Sequence, residues 1–301
     1  MKKFLIVLII IIFSFLVMIC NKSRNVILMS KYRPFYGEYE NFDNMKLYNN
    51  LPKIDVATAF YPVASSIVQN IYDEKSYNNE LSYVSTSTAY NDLLSKKVDV
   101  IIVTKPSKNQ KEMIEKFNED LKFIPIAREA LVFYTRKENT IKSITVDDIN
   151  KIYTSQIINW KDLNGKNAII NTYQLTKDNG SQTCFEDIVN NNVIDGKKHF
   201  EVNDMGKIID KVSNNRNSIG FSFNSFYTKI YNDSRLKLFY INGVEPSKEN
   251  IISEKYPLMY DVFFVYNKNN NNENIEKLLE FILSEQGQKI IEIMGLQPIK
   301  K

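Results

Sequence analysis

Val98-Asp99-Val100-Ile101-Ile102-Val103 is almost continuously apolar. A run of this length without alternation reads as a strand buried on both faces, as in a parallel sheet covered by helices. The sequence before it repeats the same unit. Lys53-Ile54-Asp55-Val56-Ala57 reads as a short strand, and Phe60, Val63, Ala64, Ile67, Val68 and Ile71 follow at helical spacing. Leu81-Ser82-Tyr83-Val84 is a second strand, followed by four hydroxyl residues, Ser85 to Thr88, and a helix anchored by Leu93 and Leu94. Strand, helix, strand, helix, strand predicts a parallel sheet joined by crossovers.

The pattern continues towards the C-terminus. Phe123 to Ile126 and Ala130 to Tyr134 are expected to be extended, and Thr145 with Asp148 forms a capping box before a helix that buries Ile149, Ile152 and Tyr153. Ala168-Ile169-Ile170 reads as a strand, Gly180 to Thr183 opens a helix, and Ile208, Ile209 and Val212 mark another. Ile219 to Phe223 reads as a strand or a turn, Tyr260 to Tyr266 as a strand, and a last helical pattern from Ile275 to Ile293 breaks near Gly287. The expected architecture is two α/β lobes, each a mainly parallel sheet flanked by helices. Residues 51–137 and 256–301 form the first lobe and 138–255 the second. Two such crossings make a hinge on which lobes close over a ligand.

The N-terminus decides where the chain works. Lys2 and Lys3 precede an apolar run from Phe4 to Ile19 that ends on Cys20. This is the layout of an export signal over residues 1–20. Val17-Met18-Ile19-Cys20 resembles a lipobox, so Cys20 is the expected lipid attachment point; an uncleaved anchor is the alternative. Both tether the rest outside the cytoplasmic membrane, with residues 21–50 as tether and lead-in.

Composition excludes several classes. The 301 residues are 44% hydrophobic and 12% aromatic, enough to fill real cores. Net charge is +4, with no long basic stripe, so nucleic acid is not an expected partner. With Cys20 acylated, Cys184 stands alone and no disulfide framework forms. A single histidine, His199, argues against a histidine-based metal site or a Ser/His triad. Cys184 at a helix start could be read as a nucleophile; a small buried residue is the preferred reading, so no enzyme and no cofactor are expected.

Three strand-to-helix turns are rich in small hydroxyl residues: Ala57-Thr58-Ala59, Ser85 to Thr88, and Gly180-Ser181-Gln182-Thr183. A helix start leaves up to four amides unpaired, and its dipole favours an anion by ~0.3–1 kcal/mol at exposed sites. Turns of this kind, converging on one cleft, form an anion site of neutral donors. Ser and Thr are also ordinary helix caps. Each turn alone therefore has a purely structural explanation.

Several segments together carry a resemblance. Pro52 to Ala59 with Tyr61-Pro62 is similar to a P-R-x-D-G-[AS]-T-A-x-x-P loop. Thr86 to Tyr90 with Val98 to Ile101 is similar to a second loop and strand. Ile149 to Leu163 is similar to I-Y-x-G-x-I-x-N-W-x-x-L, and Asn179 to Glu186 to S-G-[TS]-x-T-x-F-E. Ile219 to Ser222 and Gly287 to Pro298 fit as well. In this order, from about Pro34 to the C-terminus, the chain resembles the substrate-binding proteins of phosphate ABC importers, the type II periplasmic-binding-protein family. The resemblance implies a monomeric carrier that captures an oxyanion, phosphate above all, for a permease. It implies ligand contacts from Thr58, Ala59, Thr86, Ser87, Thr88, Thr104, Gly180, Ser181, Gln182 and Thr183. Three positions depart from the family pattern. Leu175 stands where an arginine is usual, Thr104 where an aspartate ends the third strand, and Val56 where glycine is expected. Lys105 or Lys177 could supply a compensating charge; a solvated surface lysine is the alternative for each. A sensor, or a binder of another small ligand, is the second reading.

Overall fold

The computed structural model describes residues 46–72, 80–190, 199–202 and 204–299. The export segment, Cys20 and the tether as far as residue 45 lie outside them. In chain order the first part holds β1 (Ile54–Ala57), α1 (Tyr61–Ile71), β2 (Leu81–Val84), α2 (Thr86–Leu94), β3 (Val100–Thr104), α3 (Lys108–Phe117) and β4 (Leu121–Arg136). Then come β5 (Ser143–Ile144), α4 (Val146–Tyr153), β6 (Asn171–Leu175), α5 (Gly180–Ile188), β7 (His199–Val202), α6 (Met205–Asn214), β8 (Ser218–Phe223), β9 (Leu236–Leu238), β10 (Tyr240–Ile241) and α7 (Lys248–Ile252). The chain closes with β11 (Met259–Asn267), α8 (Asn274–Leu283), α9 (Glu285–Ile293) and β12 (Gln297–Pro298).

The strands run β2-β1-β3-β11-β4-β8-β6-β7. β2, β1 and β3 pair parallel at one end, and β8, β6 and β7 pair parallel at the other. The pairings of β11 and β4 between them are antiparallel. Two α/β lobes thus share one strand. Residues 121–130 of β4 pair with β11, and residues 131–135 pair with β8. The second crossing lies beside the first, where the Leu131 amide donates to the Leu258 carbonyl at 2.9 Å and the Tyr256 hydroxyl to the Leu131 carbonyl at 3.0 Å.

All five residues of β3 are buried, as its apolar run predicts. Burying each such Val or Ile side chain contributes about 1.5–3 kcal/mol. Against the expected pair of extended segments, β4 is a single 16-residue strand. Pro125 sits at its bulge, opposite Phe263, where the register shifts. A proline cannot donate to the ladder, and a bulge is where a sheet accommodates one. The strand expected at 168–170 begins three residues later. Ile169 is exposed and bridges Asn159, whereas Thr172 and Gln174 of β6 are buried. The last helical pattern breaks at Ser284, whose hydroxyl accepts from the Gly287 amide and so starts α9.

Candidate functional site

Ser85 leaves β2 in extended backbone and caps α2, its hydroxyl accepting from the Thr88 amide at 3.1 Å. Thr86, the first residue of α2, is buried. β3 ends on Thr104, whose carbonyl accepts from the Tyr90 hydroxyl of α2 at 3.0 Å. The two lobe-one turns are thereby fixed side by side. From the other lobe, the start of α5 packs into them. The Gly180 amide donates to Thr86 Oγ1 at 3.1 Å. A methyl group at Gly180 would lie 2.7 Å from Thr104 Oγ1 and 2.9 Å from Thr86 Oγ1. Glycine fits here because a side chain would press on the two threonine hydroxyls.

Thr86, Thr104 and Gly180 are therefore brought together from both lobes. Ser181, Gln182 and Thr183 are buried directly behind them. Ser87 and Thr88 face solvent. The Thr58 hydroxyl donates to the Val84 carbonyl at 3.2 Å, tying the first turn to the second, and Ala59 is buried next to it.

Several donors are already engaged. Thr88 is held by Ser85 through both its amide and its hydroxyl. Ser181 uses its amide and hydroxyl on Asn179 Oδ1, and Thr183 uses both of its own on the Asn179 carbonyl. Gln182 accepts from the Leu175 amide at 3.0 Å and donates to Gln174 at 3.3 Å, so its side chain braces β6. The helix ladder leaves the first-turn amides of α2 (Thr86 and Ser87) and of α5 (Gln182) without an internal partner. Thr104 Oγ1 is a buried hydroxyl with no hydrogen-bond partner. The Cys184 thiol approaches it without reaching bonding geometry. A buried hydroxyl left unpaired costs about 1–3 kcal/mol, so one aimed at a helix start invites a ligand.

The charges around the cleft are few. Leu175 is fully buried at the end of β6, so no cation stands there. Lys105 forms an ion pair with Asp187 of α5, across the cleft, and Lys177 is exposed. Cys184 is fully buried, and burial pushes its thiol far above the ordinary range. Burial therefore disfavours the thiolate that a nucleophile needs. Beside it lies Glu129, also fully buried, which accepts from the Ala130 amide at 2.8 Å and from the Ser225 amide and hydroxyl. Burial raises its carboxyl to about 7, partly offset by the bonds from Ser225.

Two groups of contacts were not foreseen from sequence. Asp178, just before α5, accepts from Ser107 and Asn109 at the start of α3, and its carbonyl accepts from Gln110 at 2.9 Å. Ser107 and Gln110 also form a capping box. That S-x-x-Q spacing is the signal that could have revealed α3. Phe60 and Phe223 meet across the lobes with ring centroids 5.4 Å apart.

Two lobes on a shared strand, with helix starts from each converging on a cleft, define a type II periplasmic binding fold. A sequence model of the PBP superfamily domain matches residues 51–286, and the chain belongs to that superfamily. It is 28% identical over 272 residues, covering 87% of this chain and 93% of the relative, to the phosphate-binding protein PstS of Borreliella burgdorferi. A structure from Clostridium perfringens, a candidate phosphate ABC transporter substrate-binding protein with bound phosphate, superposes with a TM-score of 0.69 at 24% identity. That match covers 83% of this chain and 99% of the other. An ABC-type phosphate transport receptor from Vibrio cholerae gives 0.65 at 17% identity over 83% of this chain and all of its own.

Proposed function

We propose that this chain captures an oxyanion, phosphate first, in the cleft and delivers it to an ABC importer. The observation that carries the reading is Thr104: a buried, unpartnered hydroxyl of one lobe facing the helix start of the other. The name borne by the 28%-identical relative supports phosphate as the ligand. The proposed contacts are Thr58, Ala59, Thr86, Ser87, Thr88, Thr104, Gly180, Ser181, Gln182 and Thr183. In this set the amides of Thr86, Ser87 and Gln182 and the hydroxyl of Thr104 lead. The Gly180 amide exchanges Thr86 Oγ1 for a ligand oxygen when the anion enters. Neutral donors then replace the anion's water, and lobe closure seals it.

The rest of the reading follows the sequence. Residues 1–20 export the chain and Cys20 anchors it by a lipid, so it works outside the cytoplasmic membrane as a monomer without catalysis. Among the described residues no helix is long and apolar enough to cross a membrane.

A second reading is favoured by one observation: Leu175 leaves the cleft without the arginine that the family resemblance implies. Phosphate binding would then be weak, and another small ligand or a sensor role would take its place. Isothermal titration of the purified chain with phosphate, sulfate and other tetrahedral oxyanions separates the two. Saturable one-to-one binding of phosphate is expected, with stabilisation of about 2.7 kcal/mol at a hundredfold excess over Kd. Heat with another anion alone favours the second reading, and silence with all of them overturns capture.

A further inference from the structure

The start of α3 and the loop before α5 belong to opposite lobes and contribute nothing to the proposed ligand contacts. They are nevertheless joined by three hydrogen bonds centred on Asp178. Its carboxylate accepts from the Ser107 hydroxyl and, at 3.1 Å, from Asn109 Nδ2, and its carbonyl accepts from Gln110 Nε2 at 2.9 Å. Asp178 holds left-handed backbone, with φ 66°. Few residues besides glycine, asparagine and aspartate accept this readily. The turn directs the carboxylate at the first turn of α3, a ten-residue helix. A negative charge is favoured there by the dipole, and the capping box fixes the donors. Lys105 and Asp187 make a second, more exposed link across the same edge of the cleft.

We propose that Asp178 is a latch that holds the two lobes closed and thereby sets how tightly and how long the cleft keeps its ligand. The proposal rests on the lobe-closure reading above and adds a positioning residue that touches no ligand. Every atom of the latch belongs to the chain, so it acts with or without an anion. An equilibrium between open and closed forms reduces apparent affinity by the closed fraction. Weakening the latch therefore loosens binding without removing a donor.

The test uses spin labels at exposed positions of the two lobes, Lys161→Cys and Glu280→Cys, the buried Cys184 remaining unlabelled. Inter-label distances are measured in ligand-free protein, and phosphate affinity is measured in parallel. Asp178→Asn keeps a residue suited to the left-handed turn but removes the charge and places a donor against donors. It is expected to shift the distances longer and to weaken phosphate binding about tenfold, as loss of a charged hydrogen bond does. Asn109→Ala, changed from the other lobe, gives a smaller shift in the same direction and serves if Asp178→Asn folds poorly. The double variant should do no more than Asp178→Asn alone. Unchanged distances in both variants, or independent and additive effects, overturn the latch. If no variant and no parent binds phosphate, the ligand reading fails while the ligand-free distances still decide the latch.

Discussion

At Glu129 a carboxyl group is sealed where β4 passes from one lobe to the other, one residue before the crossing. Tyr260, its partner on β11, and the thiol of Cys184 are both pushed far above their ordinary range by burial, so both stay neutral and neither adds a negative charge beside it. The folded-state value of Glu129, about 7, exceeds the usual 4.5. Between those two pH values the folded chain keeps a proton that the unfolded chain has released. The stabilisation is complete below pH 4.5 and is lost as pH rises towards 7, by about 3 kcal/mol. Glu129→Gln removes this dependence. Urea unfolding at pH 4, 5.5 and 7.5 should show the variant gaining on the parent at each step; an equal difference at all three contradicts the assignment. Asp55, raised to about 6 chiefly by burial, slopes the same way but is present in both proteins and cancels.

Individual residues differ in how plainly the sequence announces them. The box of Thr145 and Asp148 is visible from spacing, and both of its bonds are present, at 2.9 and 2.8 Å. Glu129 is not: next to Arg128 it reads as a polar interruption, and its burial depends on Ser225, 96 residues away. Ser155 occupies the glycine position of the segment ending in Trp160 and takes left-handed backbone, φ 60°. The pattern, not the residue type, marks that turn.

Among the elements, α5 is the one whose docking assembles the cleft. Its first residue lies against the Thr86 and Thr104 hydroxyls, both buried on short side chains. Gly180→Ala should therefore push α5 off lobe one and weaken the closed form by about 1–3 kcal/mol, as overpacking does. Lost oxyanion binding with near-parental far-UV circular dichroism is the expected result; unchanged binding argues that the anion sits elsewhere. The sequence located α5, α2 and β3 because their signals are local: an apolar run, a cap, a hydroxyl-rich turn. It missed α3, whose outer face is strongly polar, and it divided β4 in two because its middle carries Pro125, Arg128 and Glu129. It placed β6 early because Ile169 and Ile170 outweigh Thr172 and Gln174 in any hydropathy reading. The buried Gln174 is admitted by a bond from Gln182, 3.3 Å away and on a different element.

Across the whole molecule, the second lobe is inserted between two pieces of the first. β6, β7, β8, the half of β4 that pairs with β8, and the short β9 that also pairs with β4 all precede residue 239. The first lobe lacks β11 until residue 267 is present, yet β11 lies between β3 and β4. The lobe begun first is thus completed last. Refolding followed by pulsed hydrogen exchange should show protection at Thr172 and Phe221 before Ile101 and Val103, contrary to the usual order of assembly from the N-terminus. Simultaneous protection would mean that the shared strand fuses both lobes into one cooperative unit.

The shared strand also bears on how the molecule can be divided. A chain delivered end-first, by a ribosome or through a translocation pore, presents β1, β2 and β3 with an unfilled edge for some 150 residues of further delivery. Truncation anywhere before β11 leaves that edge bare and prone to association with a second copy. A stop codon late in the reading frame would therefore yield a sticky fragment with an intact distal half, not a smaller working binder.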